Sequence, residues 1–196
     1  TRGDVGAVTS AGRLVRFSPV DLPSVAPNSV QLAAGTRADQ YLSLASGEHV
    51  VALVPLVGEP PIALGTAHGV VKRVAATELP SNKHDVEIIA LRDGDRVVGA
   101  APASDGAELV FVASDAQLLR FDASSVRPQG RAAGGMAGIR LSDGAEALGF
   151  FVVSPSAFDA VVVTIAGSTT ALAGTDAGTA KVSSFSEFPA KGRATG

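Results

Sequence analysis

The sequence predicts an all-β chain built from about four repeats arranged radially, as blades. Three observations carry this reading. Turn positions Gly12, Gly69, Ala116 and Gly167 lie 57, 47 and 51 residues apart. A second marker is a glycine followed by an acidic or small residue ahead of an apolar strand. It recurs at Gly47-Glu48, Gly94-Asp95 and Gly144-Ala145, 47 and 50 residues apart. Two independent markers sharing one period near fifty residues define an internal repeat, and in a chain of strands such a period indicates blades around an axis. Third, no stretch carries convincing helical periodicity. Short apolar or alternating runs stand instead between clusters of Gly, Asp, Ser and Pro.

Taken in order, the first repeat opens with an apolar strand from Val5, a Ser10-Ala11-Gly12 turn and a basic strand through Arg13, Arg16 and Phe17. Residues 27–35 are the one candidate for a short helix and read better as loop. Residues 41–44 (YLSL) read as strand, with Tyr41, the sole tyrosine, in the core. The second repeat has a strand at 50–54, then the same grammar over residues 62–80, with an apolar strand, a His68-Gly69 turn and Lys72-Arg73 after it, and further strands at 86–91 and 97–100. The third has strands at 109–113 and 118–121 around Ser114-Asp115-Ala116-Gln117, whose composition is that of a turn. A glycine-rich basic loop follows, then strands at 139–141 and 148–153. The fourth starts at Val161 and is interrupted, the basic strand resuming at residues 178–182; residues 157–178 are the least regular and are expected to carry a loop insertion. Approximate repeats are 1–48, 49–100, 101–150 and 151–196, together one domain.

At 196 residues the chain can bury a real core. No apolar run reaches the roughly 20 residues of a membrane span, and no signal peptide opens the chain. The chain starts almost inside a strand and stops at Ala194-Thr195-Gly196, so it is expected to be a domain excised from a longer protein. Zero cysteines exclude disulfides and thiolate metal sites and fit a reducing, cytoplasmic compartment.

The net charge of −3 argues against a simple polybasic binder, but the distribution is uneven. Acids gather at one kind of turn: Glu48, Asp93, Asp95, Asp143 and Glu146. Bases gather on the strand after the other kind of turn and in the loop beyond: Arg13, Arg16, Lys72, Arg73, Arg120, Arg127, Arg131, Arg140, Lys181, Lys191 and Arg193. Residues 124–141 contain three arginines and no carboxylate. Stacked in register, these bases form a stripe along one rim, an electrostatic track for a polyanion, with the acidic turns directed elsewhere.

Residues for chemistry are scarce. His49, His68 and His84 lack metal-site spacing, and His68 reads as a turn residue. Asp93-Gly94-Asp95 lacks the later acid of a calcium loop and reads as a β-turn. No helix opens after Gly134-Gly135, which weakens a nucleotide-phosphate loop, and no nucleophile constellation is present. The chain is read as a binding module without cofactor.

The phrases TSAGRLVRF, TAHGVVKRV, VRPQGRAAGGMAGIRLSDG and SEFPAKGRATG carry a family resemblance. They resemble the C-terminal β-pinwheel of the A subunit of bacterial type IIA topoisomerases, DNA gyrase and topoisomerase IV. Residues 126–141 match that family's loop, R-x-x-G-R-x-x-x-G-V/M-x-G-I-x-L. The resemblance implies a β-pinwheel of four-stranded blades, each exchanging a strand with its neighbour. Double-stranded DNA bends around the basic rim of such a disc. It implies as partners the B subunit of an ATP-dependent isomerase together with the rest of the A subunit. It also implies a nucleoid-associated location, no membrane, and no DNA-cleaving role for Tyr41. The gyrase heptapeptide Q-R-R-G-G-K-G, tied to positive wrapping, is absent; residues 190–196 are its nearest echo. About four blades is below the family's usual five or six, and residues 24–38 and those around His84-Asp85 replace the basic loop in the first two repeats. The competing reading is a propeller-like protein-interaction scaffold that binds no nucleic acid.

Overall fold

Alternating β-branched residues broken by left-handed turns leave the chain little choice but hairpins. A computed structural model describes residues 3–22, 35–56, 58–79, 82–157, 159–167 and 178–195. Its strands are β1 (Val5–Thr9), β2 (Arg13–Phe17), β3 (Val50–Pro55), β4 (Ile62–Thr66), β5 (Val70–Val74), β6 (Asp85–Glu87), β7 (Val97–Pro102), β8 (Glu108–Ala113), β9 (Leu118–Asp122), β10 (Met136–Ala137), β11 (Ala147–Val153), β12 (Val161–Ala166) and β13 (Thr179–Ser184). The one α-helix among the described residues is α1 (Ala38–Tyr41), a single turn.

Four antiparallel hairpins, β1–β2, β4–β5, β8–β9 and β12–β13, recur once per repeat. The first two sheets each take a strand, β6 and β10, from the repeat that follows. The first sheet runs β3-β1-β2-β6, the second β10-β5-β4-β7, the third β11-β8-β9. β3, β7 and β11, each later in the chain than the hairpin it joins, lie against one another in series. They form the inner side, so β6 and β10 are outer strands. The sheets thus cross the repeat boundaries read from the sequence.

The turns of the first three hairpins share one geometry. Gly12 and Gly69 take positive φ (74° and 78°), and Ala116 takes φ 65° at the equivalent place. A residue there closes the three-residue loop as a bulge. At Gly69 the reason for glycine is also steric: a Cβ would stand 2.7 Å from the carbonyl oxygen of Ile139. Each hairpin is followed by a 3-10 turn, at Pro19–Asp21, Ala76–Glu78, Ala123–Ser125 and Phe185–Glu187. Two of these are capped, by Asp122 on the Ser124 amide and by Ser184 on the Ser186 amide.

The core lies between successive sheets. Val8, Leu14, Val54, Leu64 and Val74 meet Ile88 and Ile89 between the first and second sheets. Phe111, Phe121 and Phe150 join Val71, Leu109 and Ile139 between the second and third. Phe150 fits because Gly65 has no side chain: a Cβ there would come within 2.5 Å of its ring.

Three expectations change. Residues 41–44 are not a strand: α1 ends at Tyr41 and the chain turns, because Leu42 packs inward with Ala7 and Val15 while Tyr41 meets the Phe17 ring edge-on at 5.9 Å. Residues 88–91 and 139–141 are irregular chain rather than strand, with buried Ile89 and Ile139 plugging the space left at Gly12 and Gly69. The possible helix at 27–34 and the insertion at 168–177 lie outside the described residues.

Candidate nucleic-acid interface

Arg16, Arg73 and Arg120 occupy one position of the repeat, four residues after the hairpin turn. Arg73 is 3% exposed. Its Nη1 donates to the carbonyls of Ala123 at 3.0 Å and Val126 at 3.2 Å, its Nη2 to that of Ala103 at 3.0 Å, and it pairs with Asp105 at 2.8 Å. Ala123 and Val126 bracket the 3-10 turn of the third sheet, so Arg73 on the second sheet fastens its neighbour. Arg120 repeats the arrangement one sheet on. Its guanidinium lies 4.5 Å from the centroid of Phe185, which opens the fourth sheet's 3-10 turn, and it pairs with Glu108 at 3.3 Å. Arg16 pairs with Asp4 at 3.2 Å.

Arg13 grips Glu48 bidentately, at 2.9 and 2.7 Å, and also pairs with Asp85. The hydrogen bonds from Arg13 hold the Glu48 carboxyl down to about 2, against the opposing effect of its burial. Lys72 has no solvent exposure. Its Nζ donates to the carbonyls of Ile88 at 2.8 Å and of Arg131 and Ala133 at 2.7 Å each.

The expected single rim therefore does not describe Lys72 and Arg73. Lys72 is enclosed by Ile88 and the loop at Arg131 and Ala133, and Arg73 by Ala103, Ala123 and Val126 of the neighbouring repeat. Arg13 and Arg120 are likewise committed to ion pairs that join segments of the fold. A signal was available in the sequence: neighbours on a strand project to opposite faces, so Lys72 and Arg73 could not both face one outer surface.

The exposed bases gather elsewhere. Residues 126–137 follow the outer edge of the second sheet: the Gln129 amide donates to the Arg73 carbonyl at 2.8 Å, and β10 pairs with β5. Residues 188–195 follow the third sheet and then cross to β10. The Lys191 amide donates to the Arg120 carbonyl at 3.0 Å, the Ala194 amide to Gly138 at 2.7 Å, the Arg193 guanidinium to the Ala137 carbonyl, and the Arg140 amide to Thr195 at 3.3 Å. Two acid-free segments are thus joined backbone to backbone at the outer edge of sheets two and three. Arg127, Arg140 and Lys191 are exposed there, and Arg131 and Arg193 half-buried. None of the five forms an ion pair among the described residues. Glu78 reaches the Gly130 end of the loop, where a Cβ would stand 3.4 Å from its Oε2, without pairing to these arginines.

Lys181 is exposed on β13 opposite Thr164, and no contact joins it to these segments. The outer strand of the first sheet is mixed in sign, with Asp85 and Glu87 exposed beside Lys83. Lys83, outside the expected set, is an exposed base at this edge; the sequence hides it because His84-Asp85 follow directly. Among the acids, Asp95 is a turn clamp with a side chain 2% exposed, accepting from the amides of His68 at 2.9 Å and Arg96 at 2.8 Å. Glu146 pairs with Arg96 at 2.8 Å, which lowers its pKa. Among the described residues no group of three His, Asp or Glu side chains could hold a metal ion, and no helix is long and apolar enough to cross a membrane.

Hairpins repeated with exchanged strands, carrying a cationic outer edge, define a propeller-type repeat domain. The family model described as DNA gyrase C-terminal domain, beta-propeller, matches residues 7–56, 61–104, 107–154 and 170–196, one match per repeat, and the chain belongs to that family. It is 29% identical over 191 residues to the DNA gyrase A subunit of Mycobacterium tuberculosis, covering 94% of this chain and 21% of that protein. It is 27% identical over 199 residues to the DNA gyrase A subunit of Escherichia coli, covering 100% of this chain and 21% of that protein. The chain spans about a fifth of the length of these relatives. Among solved structures, the C-terminal domain of DNA topoisomerase IV superposes with a TM-score of 0.80 at 20% identity, over 98% of this chain and 56% of that one. The DNA gyrase A C-terminal domain superposes at 0.72 and 17% identity, over 98% and 58%.

Proposed function

We propose that this chain is a duplex-DNA-binding and DNA-bending domain of a type IIA topoisomerase A subunit, without catalytic activity or cofactor of its own. It works beside the B subunit, with the rest of its own polypeptide, in the cytoplasm, on nucleoid DNA. The observation that supports this best is the acid-free edge formed by residues 126–141 and 188–195 in a chain of net charge −3. Arginine and lysine there contact phosphates rather than bases, so binding is nearly independent of sequence. Of the bases expected at first, Arg127, Arg131, Arg140, Lys191 and Arg193 are the proposed contacts. Lys181 belongs to the fourth sheet and serves only if the DNA path continues there. Bending a few tens of base pairs costs on the order of 1–10 kcal/mol, which several charge contacts along an outer edge can offset.

The test is the salt dependence of duplex binding. Each phosphate contact contributes about 0.9 to the log–log slope. Changing Arg127 and Arg131 together to alanine is expected to lower the slope by roughly two and to weaken all sequences alike. An unchanged slope would remove this edge from the interface. Absence of duplex binding at low salt would favour a protein-interaction scaffold.

A further inference from the structure

The buried ammonium of Lys72 is the one feature of the edge that phosphate binding does not use. Its three acceptors come from two separate pieces of chain. Ile88 follows the outer strand of the first sheet, and Arg131 and Ala133 belong to the basic loop of the third repeat. The Ala90 amide reaches the same Ala133 carbonyl at 3.3 Å. Lys72 therefore joins the segment that follows β6 of the first sheet, its own strand β5 and the loop bearing Arg127 and Arg131. Val15 and Leu119 fill this position in the first and third hairpins, and Lys181 in the fourth, where it is exposed. Among the described residues a buried ammonium occurs only beneath the loop that carries two arginines without ion pairs.

We propose that Lys72 is a positioning residue for the DNA-binding edge: its ammonium, held by three carbonyls, fixes the loop that presents Arg127 and Arg131 and never touches DNA itself. The proposal rests on the reading of that edge as a phosphate-binding surface. Two of the three charge-assisted bonds from this ammonium fall on loop backbone at Arg131 and Ala133, between the Gln129 bond and the short β10 pairing, where the Ala90 amide adds only a longer bond to Ala133. Burial lowers the Lys72 pKa from 10.5 to about 8, opposed by the charges of Glu87 on β6 and Glu78 in the turn after β5. Arg131, on the loop itself, is the other charged residue at the site. A folded pKa below the unfolded value means that the unfolded chain binds more protons between about pH 8 and 10.5. Global stability attributable to Lys72 therefore rises with pH across that window. The hold on the loop moves the opposite way, because the neutral amine loses its charge and one donor.

The experiment measures binding of the 196-residue chain to a labelled DNA duplex, with folding followed by urea unfolding. The proteins are wild type, Lys72→Met, Arg127→Ala/Arg131→Ala and the triple variant, from about pH 7 to about pH 9 and about 50 to 200 mM salt. Lys72→Met is expected to weaken binding roughly tenfold at neutral pH and to lower the salt slope. The triple variant is expected to bind like the double arginine variant, since a loop without its arginines gains nothing from being held. Wild-type affinity should fall as pH passes about 8 while global stability does not, and the double arginine variant should lack that fall. These last measurements hold even if Lys72→Met fails to fold. Additive effects of Lys72→Met and the arginine changes, or a pH profile shared by wild type and the double arginine variant, overturn the inference. No duplex binding by wild type, or a slope untouched by the arginine changes, overturns the reading of the edge instead.

Discussion

Arg73 and Asp105 form a pair whose two ends differ in environment: the guanidinium is 4% exposed and the carboxylate 77%. An ion pair open to water on one side contributes little, typically under about 1 kcal/mol. The carbonyls of Ala103 and Val126 matter more, because a buried acceptor left without a donor costs about 1–3 kcal/mol, whereas that of Ala123 keeps the Val126 amide. Arg73→Met is therefore expected to lower unfolding free energy by about 3–5 kcal/mol, and Asp105→Asn by less than about 1 kcal/mol. Urea unfolding of both variants checks this, and equal losses would mean that the ion pair, not the carbonyl bonds, fastens the third sheet. At this scale the sequence is least legible. It shows that bases recur at fixed places after each turn. It does not show whether a base will meet water or the neighbouring repeat's carbonyls, since Arg73 and Arg127 differ in burial only through which chain segment lies over them.

At the scale of elements, the hairpins were legible because turn and strand signals agree: β3, β8, β9 and β11 fall within a residue of the expected runs. The apolar runs at 86–91 and 139–141 read as strands for the same reason, yet most of each is irregular. Local propensity favoured extended chain there, but Ile89 and Ile139 serve as plugs against the glycine turns, a use only the assembled repeats reveal. The turn position itself distinguishes two cases. A Cβ at Gly69 adds the cost of left-handed backbone, about 1–2 kcal/mol, to a 2.7 Å approach to the Ile139 carbonyl. Gly69→Ala is thus expected to destabilise by about 2–4 kcal/mol. Ala116 already sits at φ 65°, so Ala116→Gly relieves strain while adding unfolded-chain entropy, and should stay within about 1 kcal/mol of wild type. Thermal or urea unfolding decides between them. A harmless Gly69→Ala would show that the Ile139 segment yields easily and is no fixed plug.

For the whole molecule, the sequence made the repeat, the strand content and the separation of acids from bases readable, because period and charge need no contacts to be counted. What it could not supply was the number of bases left for a partner, which depends on how the repeats exchange segments. Arg127, Arg131, Arg140, Lys191 and Arg193 remain on one acid-free edge, while the exposed acids Asp93 and Asp143 sit in turns outside those two segments. Five phosphate contacts at about 0.9 each set an upper bound of roughly 4.5 on the salt slope of duplex binding by this chain. Eleven independent contacts, one for each base that the charge pattern alone nominates, would give roughly 10. The expected measurement is a slope at or below the smaller figure. Asp93→Lys together with Asp143→Lys tests the same geometry from the other side. It raises net charge by four (two carboxylates lost, two ammonium groups gained) in turns outside the two segments proposed to contact DNA. The number of phosphates contacted, which sets the slope, is then expected to stay almost unchanged, with only a modest gain in affinity. A slope near 10, or one that steepens with the two lysines, would mean that DNA spreads over the molecule instead of following the outer edge of the second and third sheets.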